Sequence, residues 1–273
     1  MIVRAIRRNP VALFVLLLAM GGCNGLTSPW NGNWKLNPYR SVVHGGFMTV
    51  ASLPDSEIRQ TNEVFNFDFH CDGKEYSNPN GKALTTSCDQ LNPGKWKLTY
   101  RRNGTIRSEV FWDLSSDNST LTMHGKSINT NGTSRAVVYV YDRRDAGKGF
   151  VGRWQLEDPF ASRATLLKLS MLGNRLHLAY PEFGEYVDAP LDGTSTPWHA
   201  SPWAREGFAM SAKLEGPLQM HTQNTYEGRV IREETLKLSD DGRTLTQVSW
   251  APERPDEVNS FVYEKEKVSF LSN

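Results

Sequence analysis

Apolar and polar positions alternate along most of this chain with a period of two. Phe65, Phe67, Phe69 and Cys71 alternate with Asn66, Asp68 and His70. Trp96, Leu98 and Tyr100 alternate with Lys95, Lys97 and Thr99, and Leu176, Leu178 and Tyr180 with Arg175, His177 and Ala179. Successive side chains of a strand point to opposite faces, so the pattern predicts strands with one face inside and one in water. Turn dipeptides separate the runs: Asp72-Gly73, Asn103-Gly104, Asp117-Asn118, Asn131-Gly132, Gly173-Asn174, Asp192-Gly193 and Asp241-Gly242. Asn-Gly and Asp-Gly supply the positive φ angles of tight hairpins. No stretch beyond the N-terminal segment carries an apolar stripe at helical spacing. The expectation is an all-β protein built as antiparallel up-and-down barrels, in which closure removes exposed sheet edges.

The pattern also repeats. Gly32-Asn33-Trp34-Lys35-Leu36 returns as Gly152-Arg153-Trp154-Gln155-Leu156. The hairpin Leu114-Ser115-Ser116-Asp117 returns as Leu238-Ser239-Asp240-Asp241, each leading into Thr-Leu-Thr. Val140-Tyr141-Asp142-Arg143 returns as Val262-Tyr263-Glu264-Lys265. The offsets are 120, 124 and 122, in one order. Three landmarks in register indicate duplication. Two tandem barrels are expected, over 31–146 and 147–270, with Gly147-Lys148-Gly149 as the joint.

A Gly-x-Trp on the first strand of a small antiparallel barrel, with a basic residue on the last, resembles the lipocalin and calycin pattern. The landmarks together are similar to a class of bacterial lipocalin-like proteins. The resemblance implies that the tryptophan closes one barrel end and that the cation packs across it. It pairs Gly32 and Trp34 with Arg143 in the first copy, and Gly152 and Trp154 with Lys265 in the second. The second copy has no counterpart of Cys71 and Cys88. Its middle reads Pro197-Trp198-His199-Ala200-Ser201-Pro202-Trp203 instead.

The N-terminus breaks the pattern. Arg4, Arg7 and Arg8 precede the apolar run Val11 to Met20, then Gly21, Gly22 and Cys23. A basic region, a short apolar core and small residues are the parts of a secretory signal, and the run is shorter than the roughly 20 residues of a membrane span. Met20-Gly21-Gly22-Cys23 resembles the bacterial lipobox, although Met20 stands where leucine is usual. An ordinary secretory signal followed by an unrelated cysteine is the alternative. On the lipobox reading 1–22 is a cleaved signal and Cys23 carries two acyl chains, which anchor stably. Residues 23–30 are then a short tether that holds the first barrel near the bilayer. Asn24, rather than aspartate, favours the outer membrane of the cell envelope. Loss of three arginines moves the formal charge from +1 to −2, which gives no case for nucleic acid as a partner. With Cys23 lipidated, Cys71 and Cys88 remain and are expected to form a disulfide in an oxidising compartment. A two-cysteine metal site lacks the tight ligand spacing that zinc prefers.

Chemistry is sparse. His44, His70, His124, His177, His199 and His221 form no helical metal-ligand motif. Asp68 and His70 share a strand face and could bind a metal, or simply face solvent. Glu233 and Glu234 are adjacent on a strand and so point to opposite faces. No phosphate loop, nucleophile elbow or dinucleotide fingerprint is present, and no catalytic residue, metal or cofactor is expected. The ligand-binding candidates are therefore apolar: Phe65, Phe67 and Phe69 in the first barrel, Leu166, Leu176 and Leu178 in the second, and the loop tryptophans Trp198 and Trp203. The barrel residues could instead be plain core packing, and the two tryptophans could form an aromatic lid, a platform for stacking a sugar ring, or simply a cover over the barrel. The leading expectation is a non-catalytic, lipid-anchored envelope protein that binds a small hydrophobic ligand in a barrel. A module for contact with envelope proteins or glycan is the alternative, and a barrel-interior enzyme the third.

Overall fold

The computed structural model describes residues 28–267 except 45, 63–64, 79–83, 129–131, 162 and 201–206. The signal, Cys23 and Trp203 lie outside the described residues. The first copy supplies β1 (Gly32–Leu36), β2 (Phe47–Ser52), β3 (Ile58–Thr61), β4 (Asn66–Phe69), β5 (Asp72–Ser77), β6 (Leu84–Asn92), β7 (Lys95–Arg102), β8 (Thr105–Leu114), β9 (Thr120–Ile128) and β10 (Ser134–Arg143). The second supplies β11 (Gly152–Leu156), β12 (Leu166–Leu172), β13 (Arg175–Tyr180), β14 (Glu185–Pro190), β15 (Thr196–Pro197), β16 (His199–Ala200), β17 (Phe208–Gly216), β18 (Gln219–Tyr226), β19 (Arg229–Leu238), β20 (Thr244–Ala251) and β21 (Arg254–Lys265).

These strands form two antiparallel, nearly closed barrels in tandem. The strand order of barrel 1 is β4-β3-β2-β11-β10-β9-β8-β7-β6-β5; that of barrel 2 is β15-β17-β18-β19-β20-β21-β1-β12-β13-β14-β16. Each copy has therefore given its first strand to the other. β1 pairs with β12 and β21, while β11 pairs with β10 and β2. The Gly147-Lys148-Gly149 segment, expected as the joint, connects β10 to β11 within one sheet. The chain passes between barrels at 37–46 and 157–165 instead.

The exchange crosses the tryptophan–cation pairs that the resemblance implied. The Arg143 guanidinium stands 4.1 Å from the Trp154 ring centre and the Lys265 ammonium 4.9 Å from that of Trp34. Both tryptophans are fully buried. Trp34 Nε1 donates to the Trp30 carbonyl at 3.1 Å and Trp154 Nε1 to the Phe150 carbonyl at 2.9 Å. One end of each barrel is thus plugged by an aromatic pair, Trp30 with Trp34 and Phe150 with Trp154. Because Pro29 also accepts from Lys265 Nζ at 2.8 Å, the N-terminal segment enters at the plug of barrel 2, not of barrel 1.

Each barrel has a seam where its sheet order ends. In barrel 1 β4 and β5 flank it, and the Cys71–Cys88 disulfide, with Cα atoms 4.4 Å apart, ties it to β6. In barrel 2 the seam falls between β15 and β16, and Trp198 lies between them. Its ring is only 8% exposed, stacks on Tyr180 with centroids 5.8 Å apart, and donates from Nε1 to Asn224 Oδ1 at 3.1 Å.

The barrels meet at the ends remote from their plugs. Arg102, at one hairpin of barrel 1, donates to the Tyr226 hydroxyl at 3.4 Å and pairs with Glu227 of barrel 2 at 3.7 Å. Arg135 stacks on Phe183 at 4.6 Å. Phe65 reaches across to Tyr226 and Phe208, with centroids 5.0 and 6.2 Å away.

Candidate functional site

Alternation inside barrel 2 divides its interior in two. Near the plug the inward positions are apolar: Leu167, Leu169, Leu176, Leu178, Leu236 and Leu238 are buried among the core residues. Toward the junction they turn polar. Thr222 faces Glu234 across β18 and β19, and Asn224 faces Arg232. Glu234 is 5% exposed and accepts from Thr222 Oγ1 at 3.0 Å. Its neighbour Glu233 points outward as expected, accepting from Gln223 at 3.0 Å and lying 2.8 Å from His221 Nε2. A buried carboxylate needs such partners, since leaving it bare in a low-dielectric interior is costly.

Above these groups lies a cavity of about 320 Å³. Its wall is composite. Barrel 2 contributes Tyr180, Trp198, Phe208, Asn224, Arg232, Glu234 and Tyr263; barrel 1 contributes Phe47, Asn62, Tyr139, Tyr141 and Leu156. The two crossing segments add Val43 and Gly46, and Pro159, Arg163 and Ala164. Tyr141 and Tyr263 hold the same place in the two copies, so the cavity sits where the repeats meet. Burial pushes the Tyr263 phenol well above its ordinary pKa and keeps it a neutral donor, 3.3 Å from Gln247 Oε1. The Arg163 guanidinium stacks on Phe261 at 3.9 Å. The size falls at the low end for small-molecule sites, and aromatic walls with a few placed polar groups are their usual lining.

Of the ligand candidates taken from the sequence, Trp198 lines this cavity and Phe65, Phe67, Phe69, Leu166, Leu176 and Leu178 do not. Phe67, Phe69, Leu176 and Leu178 are packed in the barrel cores, where Phe69 meets Trp96 edge-on and Phe67 meets Tyr100. Phe65 is half-buried at the junction. Leu166 was expected to point inward; the β12 register buries Leu167 and Leu169 and leaves Leu166 on the outer face opposite Lys35. Asp68 is held by Arg59 through two hydrogen bonds of 2.7 and 2.6 Å, and His70 packs on Tyr76. Among the described residues no three His, Cys, Asp or Glu side chains converge as a metal cage.

The sequence reading missed Glu234, Arg232 and Arg163. Alternation assigned Glu234 to one face of its strand, but nothing local said that this face was the inner one. Arg163 lies in a crossing segment whose course follows from the strand exchange. No family model matches the chain, and no curated protein matches it as a relative.

Proposed function

We propose that the protein binds a small amphipathic molecule in the cavity between its barrels, as an envelope protein anchored through Cys23. The observation that carries this reading is the cavity itself: its lining mixes apolar and aromatic side chains with the polar Glu234, Arg232, Asn224 and Arg163, so its wall is amphipathic. The barrel cores are poorer candidates, because the residues expected to line a hollow interior are packed against one another. A binding role is favoured over catalysis because, among the described lining residues, the single carboxylate already accepts from the buried Thr222 and no histidine lines the cavity with it.

Native mass spectrometry of protein extracted in mild detergent tests the binding role. A non-covalent mass of small-molecule size should travel with the wild type and be lost in Trp198→Ala. Its presence at equal occupancy in both would place the ligand elsewhere and overturn the reading. Anchoring is tested separately by metabolic labelling with an alkyne fatty acid, where Cys23→Ser should abolish the label. On this reading the lipid tether leaves from the plug of barrel 2, so the cavity stands away from the bilayer at the waist of the molecule.

A further inference from the structure

A groove of about 430 Å³ runs along the junction on the outer side of barrel 1. Phe47, Asn62 and Ile231 line both the groove and the cavity, so the two share a lip. The groove carries Arg153, Arg229 and Arg254 with Glu253 and Glu257. Two of the arginines are matched: Arg229 pairs with Glu253 at 2.8 Å and Arg254 with Glu257 at 2.9 Å. Arg153 is different. It is exposed on the outer face of β11, and its guanidinium lies over the Phe47 ring at 4.2 Å. Its backbone N–H donates to Asp145 Oδ2 at 2.7 Å, but among the described residues its guanidinium forms no ion pair. Inside the lip, Arg163, Arg232 and Glu234 line the cavity. The lip of the cavity therefore presents, at Arg153, a guanidinium in no ion pair among the described residues, in a protein whose expected mature charge is negative.

From this we infer that the ligand is an acidic amphiphile, an aromatic or acyl body bearing a carboxylate, sulfonate or phosphate, and that Arg153 holds its acidic head at the lip while the body lies among the aromatic side chains. The reason is geometric. A guanidinium stacked on an aromatic face keeps its N–H edge free to donate, and a planar fork suits a planar or tetrahedral oxyanion. Phe47 fixes the height of that fork directly at the mouth. Thr49, which faces Arg153 across the β2–β11 pair, and Asn62 add neutral hydrogen-bonding groups beside it. A cationic head would meet Arg153 first and be repelled, and a neutral body would gain nothing from it.

This inference rests on the proposed binding role, and a matched pair of fluorescent probes separates the two. Anilinonaphthalene sulfonate and its uncharged counterpart phenylnaphthylamine share the same rings and differ by the sulfonate. The full chain should bind the sulfonate about tenfold or more tightly than the uncharged probe. Arg153→Gln should remove that preference while leaving the uncharged probe unchanged, and Trp198→Ala should weaken both. Equal affinity for the two probes, with Arg153→Gln silent, overturns the acidic-ligand inference and leaves the binding role standing. Failure of both probes to bind, or binding indifferent to Trp198→Ala, overturns the binding role and this inference with it. Arg153 is exposed, so a loss confined to the charged probe reports recognition; unchanged circular dichroism confirms that the variant is folded.

Discussion

Gly32 and Gly152 are small because of residues on another strand. A Cβ at Gly32 would sit 2.7 Å from Cε of Lys265, and one at Gly152 would fall on the Arg143 guanidinium. In each case the cation must pass over the glycine to reach the tryptophan two residues on. Gly152→Ala should push Arg143 off Trp154 and destabilise barrel 1 by about 1–3 kcal/mol, the usual result of overpacking, as read in urea unfolding. Trp34→Ala leaves a larger hole in a sealed plug and should cost about 3–5 kcal/mol. The duplicated hairpins make a second residue-scale prediction. Ser115 bonds Asp117 at 2.6 Å and Ser239 bonds Asp241 at 2.6 Å, and both carboxyls are held below their usual range, Asp117 to about 2. A carboxyl with a depressed folded pKa stabilises above its unfolded value and loses that effect as pH falls. Stability should therefore decline from about pH 4 toward pH 2. Asp117→Ala should flatten part of that decline in an acid titration followed by tryptophan fluorescence. At this scale the sequence was informative about residue types and less so about partners. The cation and the tryptophan of each plug were legible, but the cation that meets each tryptophan was not.

The seams show how two similar elements are closed by different chemistry. In barrel 1 a covalent tie spans 17 residues of sequence, from Cys71 to Cys88. In barrel 2 the same edge is closed by Trp198, stacked on Tyr180 and bonded to Asn224. The disulfide was readable because the expectation that Cys23 is acylated in an exported chain leaves only one pair of cysteines. The role of Trp198 was half readable: a tryptophan between prolines was marked as a lid or cover, but only the register of β15 with β17 places it beside the polar mouth. A loop of that length is worth about 3 kcal/mol in the chain-entropy model. Cys71→Ser with Cys88→Ser, or dithiothreitol on the wild type, should lower the melting temperature by roughly 6–12 °C. Calorimetry with and without reductant checks this, and the double variant should be insensitive to reductant. Because neither Cys71 nor Cys88 lines the cavity, ligand affinity should change little in the same samples.

At the scale of the whole molecule, the exchanged strands decide where the cavity can be. If β1 and β11 had stayed with their own copies, the barrels would be joined by one linker and could move apart. Exchanged, they bring two crossing segments to the junction, and both segments line the cavity. The arrangement was illegible for a physical reason. Gly32-Asn33-Trp34-Lys35-Leu36 and Gly152-Arg153-Trp154-Gln155-Leu156 present the same inward faces, Trp34 with Leu36 and Trp154 with Leu156, so either strand satisfies either barrel. Hydrophobic pattern fixes which face a strand buries, but not which of two equivalent gaps it fills. Cysteine pairs on the outer faces distinguish the two arrangements. Directly opposed residues of antiparallel strands lie about 4.5–5.5 Å apart, within reach of a disulfide. In the exchanged fold Asn33 opposes Lys168, and Thr49 opposes Arg153. Asn33→Cys with Lys168→Cys should therefore crosslink on mild oxidation, as peptide mapping would show. Asn33→Cys with Thr49→Cys, opposed only if β1 stays in its own copy, should remain reduced. The reverse result would return β1 to barrel 1 and dismantle the composite cavity.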